Sequence, residues 1–96
     1  MRVLWLDQAE DDRGEIFRYL IGYDIAAALR TYEAIREQAA RLGDYPNLGR
    51  PGRILGTREL PIGRTPYLVV YTVDRRIDAV IILRVVHGAR LWPSDL

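Results

Sequence analysis

Two apolar runs, parted by a short charged turn, constrain this chain more than any other feature. Tyr67, Leu68, Val69, Val70, Tyr71, Thr72 and Val73 form the first run. Ala79, Val80, Ile81, Ile82, Leu83, Arg84, Val85 and Val86 form the second, with Asp74, Arg75, Arg76, Ile77 and Asp78 between them. Residues of this kind, β-branched or aromatic, fit the pleat of a strand, so the pair predicts a β-hairpin over 66–73 and 79–87. The second run is apolar on both faces, as expected of an interior strand beneath a helical layer. Leu83 is placed in its middle, where a charge is expected to abolish folding. The run ends at His87, the only histidine of the chain, with Arg84 and Arg90 close in sequence.

The segments upstream supply the layer. Residues 2–6 read as a short first strand. Asp7 is placed as a helix N-cap and Glu10, three positions on, as the return half of a capping box. Ala9, Ile16, Phe17, Leu20 and Ile21 then recur at helical spacing, with Glu10, Asp11, Glu15 and Arg18 opposite. Asp11 and Asp12 complement the helix dipole. Gly22 ends this helix and Asp24 caps the next, whose apolar stripe is Ile25, Ala28, Leu29, Tyr32, Ile35, Ala39 and Leu42, closed by Gly43. So short a link forces an antiparallel helical hairpin. Pro46, Gly49, Pro51 and Gly52 mark 44–56 as a loop, and 57–62 reads as a further strand. The expected fold is α+β: an N-terminal strand, an antiparallel helical hairpin, then a three-stranded antiparallel sheet packed against the hairpin, with residues 1–96 as one domain.

Composition narrows the function. The chain has no cysteine, which removes disulfides and thiolate metal sites, and no cluster at ligand spacing predicts a metal. No apolar run exceeds five residues, so neither a membrane span nor a secretory leader is expected, and the expected location is the cytoplasm. The net charge of +1 conceals a split. Residues 1–48 carry six arginines against nine acids, and residues 49–96 carry eight against four. There is no lysine. The second half is therefore an anion-seeking surface built of guanidinium forks.

Several residues stand out as candidates. His87 is either a general acid or base or a hydrogen-bonded structural residue. Arg84 breaks an apolar strand and needs either a counter-ion, for which Glu59 is placed to serve, or an anionic ligand. An ordinary hairpin register is expected to gather Arg58, Arg64 and Arg90 at one sheet end as an anion-binding patch. Arg50 and Arg53 lie in the Gly/Pro loop, able to join that patch. Tyr67 and Tyr71 share a strand face, for core packing or for stacking. Trp92 and Pro93 form a tail, and Ser94, the only serine, has no triad setting.

Taken in order, these segments resemble toxins of the RelE/ParE superfamily from bacterial type II toxin–antitoxin systems. The likeness rests on Ala9, Glu10, Asp11 and Asp12 after the first strand, on the helical hairpin, and on Asn47, Leu48, Gly49, Arg50 and Pro51. It continues through 57–64 and the 67–73 strand to the ending Ile82, Leu83, Arg84, Val85, Val86, His87, Gly88, Ala89 and Arg90. It implies a cognate antitoxin whose C-terminal segment wraps the toxin, and it implies no cofactor. Leu68 stands where RelE-type enzymes carry a catalytic arginine, and Trp92, not a tyrosine, follows His87. The ParE-like branch is therefore implied, with DNA gyrase as the target and protein contact rather than catalysis as the mode of action. Two alternatives stay open: a ribosome-dependent messenger RNA endonuclease using Arg58, Arg84, His87 and Arg90, and a non-toxic antitoxin-binding module. Arg50, Arg58, Arg64, Arg84, His87, Arg90 and Trp92 are the residues that the reading assigns to target or antitoxin binding.

Overall fold

A computed structural model describes residues 1–90 and Trp92. Its centre is the antiparallel pair β4 (Tyr67–Asp74) and β5 (Ala79–His87), with Tyr67 opposite His87 and Asp74 opposite Ala79. Around it lie β1 (Arg2–Trp5), α1 (Asp7–Ile21), α2 (Ile25–Ala40), a 3₁₀ turn at Arg41–Gly43, β2 (Arg50–Pro51) and β3 (Arg58–Pro61). The sheet runs β1-β5-β4-β3-β2. The expected α+β class is therefore found, with two additions. The N-terminal strand joins the sheet parallel to β5, pairing Arg2 with Ala79 and Trp5 with Ile82. Arg50 and Pro51 add a two-residue edge strand from within the expected loop. Pro93, Ser94 and the order of the tail lie outside the described residues.

One irregularity decides which way β5 points its side chains. Val70 pairs with Arg84 but Tyr71 pairs with Ile82, so Leu83 is an extra residue in a β-bulge. Val80, Ile82 and Val85 consequently all join the core under the helices, together with Leu60, Ile62, Tyr67, Val69 and Tyr71. Leu83 instead packs beside Leu68, Val70 and Val86 on the opposite face. The expectation for Leu83 is thus corrected: it is half-buried on the outer side, and Ile82, fully buried, holds the core position.

The helices lie across the inner face. Leu6 still donates from its backbone to Ile82 O at 3.0 Å, so it holds extended geometry and becomes the N-cap itself. Asp7 is therefore the first helical residue and not the cap, and no side chain caps this end. Glu10 turns to Arg36, 2.7 Å away, instead of back to the helix start. Asp24 does cap α2, accepting from Ala27 N at 3.1 Å. The core takes Ala34, Ile35 and Ala39 from the second half of α2, followed by Leu42. Ile25 and Leu29, expected on the buried stripe, are 61% and 48% exposed, because the first turns of α2 have no sheet beneath them. Between the helices Arg13 is buried. Its Nε donates to Tyr32 O at 2.9 Å, and its guanidinium lies 3.5 Å from the Tyr32 ring centre. Among the described residues no helix is long and apolar enough to cross a membrane.

The loop before β2 is held by one buried hydroxyl. Tyr71 Oη accepts from Gly49 N at 2.9 Å and donates to Pro46 O at 2.8 Å. A side chain at Gly49 would sit 2.7 Å from Glu59 O and from the Tyr71 ring, so only glycine fits. Tyr71→Phe strands both loop groups and is expected to lower stability by about 1–3 kcal/mol, read from the urea denaturation midpoint. Gly49→Ala is expected to be at least as damaging by the same measurement.

Candidate functional site

Most residues singled out in the sequence fall in two places. The first is an open cleft of about 300 Å³ between α1 and the end of β5, lined by Arg84, His87 and Arg90 together with Asp12, Tyr19 and Tyr67. Asp12, one and a half turns into α1, grips the sheet. Its carboxylate accepts from Arg84 Nε at 2.8 Å, from Arg84 Nη2 at 2.9 Å and from Val85 N at 2.9 Å. β1 has ended by this level, so the carboxylate takes a β5 backbone donor that no neighbouring strand reaches. Asp12, not Glu59, is therefore the counter-ion of Arg84. The reason is topological: α1 runs directly over β5, and Glu59 is already engaged elsewhere.

Beyond this ion pair the cleft is aromatic and basic. His87 Nδ1 accepts from Ala89 N at 3.1 Å, which in the neutral ring leaves Nε2 as the donor. The imidazole stands edge-on to Tyr67, with ring centres 5.6 Å apart. Burial pushes the Tyr67 phenol above its usual range, while Arg90 opposes that rise. Tyr19 is lowered by its hydrogen bonds, first from Tyr23 and then from Arg90, whose guanidinium lies 5.7 Å from the Tyr19 ring centre. Tyr19 is the functional candidate that sequence reading missed. The signal was available, since it lies two turns after Asp12 on the same helical face.

The second place is the far side of the sheet. Glu59, 3% exposed, binds Arg50 at 3.3 Å, Arg53 Nε at 3.3 Å and Arg53 N at 2.8 Å. Burial alone would raise its pKa, but the Arg53 backbone and guanidinium, with help from Arg50, bring the carboxyl below its ordinary value. Arg53 then stacks on Trp92, 3.6 Å from the ring centre, and Trp92 rests on the outer cluster of Leu68, Val70 and Val86. Arg58, beside Tyr71 on the other face of β3, donates from Nε to Gly49 O at 2.9 Å and from Nη2 to Asn47 O at 3.2 Å.

The expected patch of Arg58, Arg64 and Arg90 is therefore not formed. Arg58 pairs with Tyr71, whereas the turn carrying Arg64 adjoins Pro61, which pairs with Leu68 at the other end of β3. Arg64, in left-handed backbone at φ 67°, lines a separate groove against α2 with Arg30 and Gln38. Of the four residues considered for RNA cleavage, Arg84, His87 and Arg90 line the cleft and Arg58 lies away from it. Arg58 and Arg84 are held by carbonyl and carboxylate partners, whereas Arg90 meets the Tyr19 phenol and His87 holds the Ala89 amide at Nδ1. Among the described residues no group of three His, Cys, Asp or Glu side chains comes together as metal ligands.

Known proteins resemble this chain along most of its length. The family model described as "ParE toxin of type II toxin-antitoxin system, parDE" matches residues 3–92. A Sinorhizobium fredii protein carrying the name "Putative toxin Y4kP" is 37% identical over 95 residues, spanning 99% of this chain and 96% of that protein. Among solved structures, a chain of the chromosomal ParDE system of P. aeruginosa superposes with a TM-score of 0.80 at 28% identity, covering 91% of this chain and 95% of its own. The RelBE2 toxin–antitoxin complex of Mycobacterium tuberculosis contributes a chain with a TM-score of 0.64 at 26% identity, covering 93% and 92%.

Both ion-pair systems give tests. Asp12→Ala removes the carboxylate that Arg84 and Val85 N share and is expected to lower stability by about 2–4 kcal/mol. A cycle adding Arg84→Met should recover part of that loss in urea melts. Glu59, with its folded pKa below the unfolded value near 4.3, stabilises fully above that value and loses the contribution as pH falls further. Glu59→Gln is thus expected to be less stable than wild type at pH 7, with the gap closing below about pH 4 in thermal melts.

Proposed function

This chain belongs to the ParE family of toxins of type II toxin–antitoxin systems, and we propose that it stops growth by binding DNA gyrase, without chemistry of its own. The observation carrying this reading is the commitment of the basic residues. A nuclease of this fold needs several cations converging on one phosphate. Here Arg84 is closed on Asp12, Arg58 on the Asn47 and Gly49 carbonyls, and Arg50 and Arg53 on Glu59. Leu68 and Val70, both buried, present an apolar outer face beneath Trp92 in place of a polar one. Such a surface supports docking to protein better than transition-state stabilisation.

The antitoxin is the second partner. The solved relatives come from systems named as toxin–antitoxin pairs, and the excess of arginine after residue 49 suits an acidic segment that orders on binding. Exposed apolar residues at the free end of the helical hairpin, Tyr23, Ile25 and Leu29, offer further surface for it.

Induction in bacteria is the test. Filamentation with DNA-damage signalling is expected, together with loss of supercoiling activity when purified protein meets purified gyrase. Rapid arrest of translation with cuts at codon boundaries would replace this reading with the endonuclease. Normal growth, with tight binding to the neighbouring gene product, would leave an antitoxin-binding module.

A further inference from the structure

We propose that the cleft between α1 and the end of β5 is a carboxylate pocket that receives one aspartate or glutamate side chain of the antitoxin. The proposal rests on the toxin–antitoxin reading for its source of the ligand, but not for the chemistry of the pocket. Four donors line this cavity of about 300 Å³: Arg90, His87, Tyr67 and Tyr19. Tyr67 is the most buried of them, 8% exposed as a residue. Its hydroxyl opens to the cleft and makes no hydrogen bond to the described residues, so its proton is available to a ligand oxygen. Burial also keeps that hydroxyl protonated, and hence a donor.

The neighbouring groups define the ligand. Arg90 has no carboxylate partner among the described residues, and His87 spends Nδ1 on Ala89 N, leaving Nε2 to donate. Arg84 does not contribute a free charge, because Asp12 neutralises it at the floor of the cleft. Glu15 also lines the wall. A dianionic phosphate would face that carboxylate with only one uncompensated guanidinium to answer it. A single carboxylate matches one guanidinium fork supported by phenol and imidazole donors. The apolar walls, Ile16 and Val86 among them, suit the methylene stem of an acidic side chain and exclude water from its hydrogen bonds.

The test uses the full chain, isotopically labelled, and three small probes followed by NMR: blocked glutamate (N-acetyl-glutamate N-methylamide), blocked glutamine, and inorganic phosphate. Blocked glutamate is expected to move the signals of Val86, His87 and Arg90 saturably, with Kd on the order of millimolar. Blocked glutamine should bind about tenfold more weakly, since it loses the charge-assisted bond. Arg90→Gln and Tyr67→Phe should each weaken blocked glutamate at least fivefold, and Arg30→Gln, in the groove on the other side of the hairpin, should not. No shift, equal affinity for the two blocked residues, or tighter binding of phosphate would overturn the proposal. The toxin reading fails separately: a chain that binds blocked glutamate yet leaves bacterial growth untouched keeps the pocket and loses the toxin. A chain that arrests growth, is rescued by its co-expressed neighbour and ignores all three probes keeps the toxin and loses the pocket.

Discussion

The grip of Asp12 on Arg84 and Val85 is the tie on which the two layers depend. One carboxylate neutralises the guanidinium that interrupts an apolar strand. The same group replaces the strand that β5 lacks beyond the end of β1. It also fixes the rotation of α1, which brings Tyr19 over His87 and Arg90 and so shapes the cleft. Hydrophobic contact holds α1 against the sheet without choosing its register; a three-bond anchor to a single side chain does choose it.

A second anchor organises the other face. Glu59 holds Arg50 and Arg53 together, and Arg53 in turn covers Trp92. Tyr71, reaching from the core, ties the preceding loop at Gly49 and Pro46. A loop rich in glycine and proline is thus made specific by two polar side chains that originate in the sheet, consistent with the rule that buried polar groups must be satisfied. The arginine-rich half of the chain is consequently less free as a cationic surface than its formal charge implies.

Much of this was legible in the residues. The β4–β5 hairpin, the helical hairpin and the Asp24 cap follow from local pattern and turn chemistry, and each is found. Local pattern does not encode the parallel pairing of β1 with β5, because that pairing joins the two ends of the chain. Nor does it encode the bulge at Leu83, which reverses the alternation for the rest of β5 and gives the core position to Val85 in place of Arg84. Each misplacement has a long-range cause. Asp7 lost its cap role because Leu6 was still held by β5, and Arg84 found Asp12 instead of Glu59 because α1 lies over β5. Arg58 and Arg64 sit at opposite ends of β3. Tyr19 escaped notice and Asp12 was read only as a complement to the helix dipole, although their shared helical face was readable.

The pairing of β1 with β5 and the reach of Asp12 to Arg84, 72 residues along, give the chain a particular order of completion. Local hairpins close early, whereas contacts of such long separation must wait for the loop between them to be made and drawn in. On a ribosome, the first strand has no neighbour to pair with and α1 has no floor until synthesis has passed Val85. The cleft, and any harm that depends on it, therefore comes into being only after synthesis has passed Arg90.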